Sequence, residues 1–166
     1  MKMKKVLTLF LAAALAVTAL AGCGKKDPDY NEFSSSFAAA LLNPATYKEE
    51  MEKLYQSDAL KQFFSDTVHE QSVTEVLRIY GERFAAMASP VVEIDKVETQ
   101  NASKEKDGQY SLDIVMKYTI KEGDKSTDLT DTLSAVLMQD GTAWKIVSLT
   151  PTKMGIENMN LEKENT

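Results

Sequence analysis

Asp131 is the residue of this sequence best placed to move a proton. It falls in Leu129-Thr130-Asp131-Thr132-Leu133-Ser134-Ala135-Val136-Leu137, where Leu129, Leu133, Ala135 and Leu137 alternate with neighbours that are mostly polar. Successive side chains of a strand point to opposite faces, so the Asp131 carboxyl is assigned to the apolar side. A carboxylate facing an apolar pocket has its charged form disfavoured, which turns it into a candidate base for proton transfer. The simpler expectation keeps Asp131 in water, turned outward by a bulge or standing at the rim of a sheet.

Other chemistries are excluded by composition and spacing. The chain holds one histidine, His69, and one cysteine, Cys23, too few for a His/Cys zinc site. His69 lies in a polar stretch with no serine motif pointing to it, so it is expected at a surface or a helix edge rather than in a triad. Gly123-Asp124-Lys125-Ser126-Thr127 looks like the end of a phosphate-binding loop. However, Tyr118 stands where the first glycine belongs, and a strand follows instead of a helix. Asp124, Asp128 and Asp131 lack calcium-loop spacing and its central glycine. Ser103 and Lys106 have a serine-to-lysine spacing known from penicillin-binding proteins, but no Lys-Thr-Gly follows. No catalytic residue beyond Asp131, no metal site and no cofactor is expected.

Cys23 has a different use. Lys2, Lys4 and Lys5 precede the apolar run Val6 to Ala21, interrupted only by Thr8 and Thr18. At 16 residues that run is short for a membrane span, which needs about 20. A basic start, a short apolar middle and small residues at the end describe a secretory signal. Leu20-Ala21-Gly22-Cys23 resembles the lipobox of bacterial lipoproteins. The resemblance implies a diacylglycerol on the Cys23 thiol, cleavage just before it, and an extracytoplasmic domain anchored by lipid to a bacterial cell membrane. A lone exported cysteine finds no disulfide partner within its own chain. Loss of residues 1–22 removes three lysines and no acid, deepening the formal charge of −6 by three. So acidic a domain is a poor partner for nucleic acid. Lys25 and Lys26, beside the anchor, are either attracted to an anionic surface or simply solvated in a linker.

The elements that must position Asp131 follow in order. Residues 23–29 form a short tether, residues 30–151 one domain, and residues 152–166 a polar, frayed tail. Asp27 and Pro28 suit the start of a helix carrying Phe33, Phe37 and Leu41 at four-residue spacing. Asn43-Pro44 ends it and opens a second helix with Tyr47, Met51, Leu54 and Tyr55 on one side. Leu60, Phe63 and Phe64 suggest a short turn. Ser72-Val73-Thr74-Glu75 has capping-box spacing, and Val73, Val76, Leu77, Tyr80, Phe84 and Met87 make an apolar stripe reaching to about Ala88. After Ser89-Pro90 the period shortens to two: strands are expected over Val91–Thr99, Tyr110–Lys121, Thr127–Gln139 and Ala143–Leu149. Asp140-Gly141 is the strongest hairpin signal.

Helices followed by a meander of about four antiparallel strands mean an α+β fold, N-terminal helices packed on a curved sheet. With Asp140-Gly141-Thr142-Ala143-Trp144-Lys145-Ile146-Val147 at its close, residues 30–151 resemble the nuclear transport factor two-like (cystatin-like) fold, and in particular small Gram-positive lipoproteins of that fold. The resemblance implies, for members that act as enzymes, an aspartate base with a tyrosine as oxyanion partner, a role open to Tyr110 or Tyr118 here, and it implies a conical pocket. Its helix wall would be Tyr80, Phe84 and Met87. Its sheet wall would be Tyr110, Leu112, Ile114, Met116, Tyr118, Leu133 and Trp144. Packed solid, the same residues are only a core. The expected function is a non-catalytic domain binding a protein partner or a small apolar ligand, with an isomerase or lyase using Asp131 as the alternative.

Overall fold

The computed structural model describes residues 30–48 and 51–155. The expected signal segment, tether and Asp27-Pro28 helix start, with Cys23, lie outside these residues, as does the sequence beyond Gly155.

Two α-helices precede four strands: α1 (Tyr30–Leu41), α2 (Glu70–Ala85), β1 (Val91–Lys104), β2 (Tyr110–Glu122), β3 (Lys125–Asp140) and β4 (Ala143–Lys153). The strands form one antiparallel meander in the order β1-β2-β3-β4, so the fold is α+β. Short 3₁₀ segments, Pro44–Lys48, Met51–Gln56 and Lys61–Phe63, take the place of the expected second helix and third turn. They bury Leu54, Leu60, Phe63 and Phe64 beneath the two helices and the sheet.

α1 buries Phe37, Ala38 and Leu41 and leans on β1, where the Ser34 and Thr99 hydroxyls meet at 3.1 Å. α2 buries the expected stripe from Val73 to Phe84, with Met87 half-buried beyond its end. Its start differs from the capping-box expectation. The helix begins at Glu70 after an exposed His69. The Ser72 hydroxyl donates back to the His69 carbonyl and accepts the Leu149 N–H at 3.4 Å, tying the helix to β4.

Two of the hairpins use two-residue turns, Gly123-Asp124 between Glu122 and Lys125, and Gly141-Thr142 between Asp140 and Ala143. Each puts glycine first, at φ +57° and +61°, as a type II′ turn requires. The sheet's inner face is a continuous apolar layer: Leu112, Ile114, Met116, Tyr118 and Ile120 of β2 against Leu129, Leu133, Ala135 and Leu137 of β3. β1 is an edge strand with no fully buried residue. Its pairing slips at Asp95 and again at Asn101-Ala102, and Val91 and Ile94 are exposed. β4 runs on through Pro151 to Lys153, and Gly155 is tied to β3. The tail expected to fray from Thr152 therefore begins as part of the sheet.

Candidate functional site

Asp131 points inward and is completely buried. The outward turn and the watery rim are both overturned, for a reason visible in the register. β2 and β3 pair without a slip from Tyr110↔Leu137 to Glu122↔Lys125, with Asp131 opposite Met116. No bulge breaks the alternation, so the aspartate stays on the face of Leu129 and Leu133.

What meets it there is a closed set of donors. Its Oδ2 accepts Tyr118 Oη at 2.6 Å, Arg83 Nη1 at 2.7 Å and Tyr80 Oη at 2.9 Å. Its Oδ1 accepts the Gly155 N–H at 2.7 Å and Arg83 Nη2 at 3.5 Å. α2 supplies Tyr80 and Arg83, which lie on one face because they are three apart. β2 supplies Tyr118 diagonally across the ladder, and the residue just past β4 supplies Gly155. The Arg83 guanidinium lies 5.1 Å from the Tyr80 ring centre and 5.8 Å from that of Tyr118, a cation–π placement. Within the cluster, Arg83 Nε finds no partner among the described residues. Burial, and then the Asp131 charge, push the Tyr80 phenol well above its ordinary value.

Arg83 is the residue that the sequence reading missed. Its signal was present: a cation inside an apolar helical stripe and an acid inside an apolar strand, each requiring the other once buried.

Chemically, the cluster is occupied. Both carboxylate oxygens are taken by donors, and the Tyr118 hydroxyl is committed to Asp131. Tyr110, the other oxyanion candidate, stands eight residues before Tyr118 at the start of β2, against Trp144 and Tyr30 at ring separations of 5.2 and 5.9 Å. Of the expected pocket lining, Tyr80, Ile114, Met116, Tyr118 and Leu133 are fully buried, with Leu112 and Phe84 nearly so. Tyr110, Trp144 and Met87 are half-buried. The fully buried residues fill the space between sheet and α2 as core.

A groove does open on the other side of α2. It encloses about 480 Å³ between Asn43-Pro44-Ala45, Tyr47 and Lys48 on one bank and Gly81, Phe84, Ala85 and Ala88 to Pro90 on the other. Tyr47 stacks near Phe84 at 5.4 Å and donates to the Leu41 carbonyl at 2.7 Å. Burial raises its phenol well above the ordinary range. Among the expected lining residues only Phe84 reaches this groove. Its other walls come from the segments around Pro44 and Ser89, which have no periodicity, and from Gly81 and Ala85 of α2, small residues that an apolar stripe passes over. Among the described residues no group of three or more His, Cys, Asp or Glu side chains is arranged to hold a metal, and no helix is long and apolar enough to cross a membrane.

Comparison with protein families, curated proteins and solved structures gives no match to this chain.

Proposed function

We propose that this chain is a lipoprotein, held through Cys23 on the outer side of a bacterial membrane, whose α+β domain binds a partner without transforming it. The anchoring rests on Leu20-Ala21-Gly22-Cys23 behind a basic, apolar leader. The non-catalytic reading rests on the closure of Asp131 by Tyr80, Arg83, Tyr118 and Gly155. A base must offer a lone pair to a substrate within hydrogen-bond reach, and here the oxygens already face protein donors. Binding is assigned to the groove between Pro44–Lys48 and α2, whose mixed apolar and polar walls suit a small apolar ligand or an inserted side chain of a protein. The likeness to nuclear transport factor two-like proteins is consistent with this use, since members of that family include pure binders.

Two experiments test the proposal. Cells fed an alkyne fatty acid label the wild type and leave Cys23→Ala unlabelled; an unlabelled wild type or a labelled variant would remove the anchor. A photo-crosslinker at Ala45 of the anchored protein yields a discrete adduct absent with the same probe at Ser134, which is exposed on β3 away from the groove. Identical products from both positions would end the groove's role.

A further inference from the structure

At the end of the sheet where β1 finishes, β2 begins and β4 begins, Tyr30, Tyr110 and Trp144 form a triangle. Their ring centres stand 5.9 Å (Tyr30–Tyr110), 5.2 Å (Tyr30–Trp144) and 5.2 Å (Tyr110–Trp144) apart. All three are only partly buried. Lys104, the last residue of β1, holds its ammonium 5.8 Å from the Tyr110 ring centre. Neither the Tyr110 hydroxyl nor the Trp144 indole N–H bonds to another described residue, so both are left to whatever lies outside.

The position of this triangle along the chain matters. Tyr30 is the first residue of α1, and only the six residues Gly24–Asp29 separate it from Cys23. Six residues span at most about 20 Å. A lipid on Cys23 would therefore hold this end of the domain within about that distance of the bilayer. Tyr and Trp are the side chains suited to the headgroup layer, with an apolar ring to bury and a polar atom to keep wet.

We propose that the Tyr30–Tyr110–Trp144 face rests in the headgroup layer of the membrane that carries the protein, fixing the orientation of the domain on its anchor. This rests on lipidation of Cys23. The seating is aromatic rather than electrostatic. Lys104 and Lys106 share this end with Glu105, Asp107 and Asp140, so the local charges offset each other and added salt leaves the contact in place.

Trp144 is the only tryptophan of the chain and serves as the probe. The full-length lipidated protein, taken from membranes, is reconstituted into phosphatidylcholine vesicles with or without a nitroxide on the headgroup. The expected result is loss of about half the Trp144 emission with the nitroxide, as for an indole in the interfacial layer. The loss should persist at about 0.5 M salt, where charge interactions between exposed groups are largely screened. Tyr30→Ser combined with Tyr110→Ser should keep the protein on floating vesicles but diminish the quenching. Emission unchanged by the nitroxide in protein that floats with the vesicles would overturn the orientation alone. Failure to float would overturn the anchor, and the orientation with it.

Discussion

Arg83 Nη1 stands 2.7 Å from Asp131 Oδ2, with the two side chains 2% and 0% exposed. An ion pair so removed from water is expensive to form, and more expensive to halve. Cutting one partner of a buried pair costs about 3–5 kcal/mol, whereas an apolar replacement of both is often neutral. Arg83→Met and Asp131→Leu should each lower stability to urea by that amount, and the double variant should recover only part of the loss, because Tyr80, Tyr118 and the Gly155 N–H stay without their acceptor. Single variants within about 1 kcal/mol of wild type would show that the pair does not hold α2 to the sheet.

Gly155 closes the same cluster from the far end of the chain. Ending the protein after Met154 removes the N–H that Oδ1 accepts at 2.7 Å and leaves a buried acceptor short of a donor, at about 1–3 kcal/mol. A chain ended after Gly155 should keep this contribution. Equal melting temperatures for the two truncations would contradict it.

Tyr80 and Tyr47 both have phenols raised above the ordinary 10.0 by burial. Below pH 10 both are neutral in the folded and unfolded chain, and stability does not depend on them. Above pH 10 the unfolded chain releases protons that the folded chain retains, so stability falls as pH rises. Absorbance at 295 nm should show these two tyrosines ionising only together with loss of the far-ultraviolet circular dichroism. Their ionisation in a still-folded protein would refute the assignment.

Met116 is fully buried opposite Asp131, in the part of the expected cone that is packed. Met116→Trp should destabilise by about 1–3 kcal/mol through overpacking. An unchanged melting temperature would reveal room in the sheet's centre.

The strands and α2 are legible in the sequence because their physics is periodic. The inward series Leu129, Asp131, Leu133, Ala135 and Leu137 survives intact, since no bulge shifts that ladder. The partner of Asp131 is not legible in the same way. Arg83 lies 48 residues away in the chain, and a stripe read by its apolar members passes over a cation that burial has neutralised. The 3₁₀ segments between Pro44 and Phe63 are too short to show a period, and they frame the groove. The helix start was misplaced because Ser72 spends its hydroxyl on the His69 carbonyl and the Leu149 N–H, a tertiary use that local spacing does not reveal.

The edge strand β1 has a consequence for copies of the protein that share one membrane. On the proposed lipid anchor, neighbours would be confined to two dimensions with similar orientation, the circumstance in which open sheet edges find one another. Among the described residues no strand covers the outer edge of β1. That edge carries the charges Glu93, Asp95 and Lys96, a slip in pairing at Asp95 and another at Asn101-Ala102. Charges and bulges along an edge frustrate strand-to-strand zippering between molecules. Under that proposal β1 would act as a fender in a crowded leaflet, letting domains jostle side by side without fusing into a shared sheet.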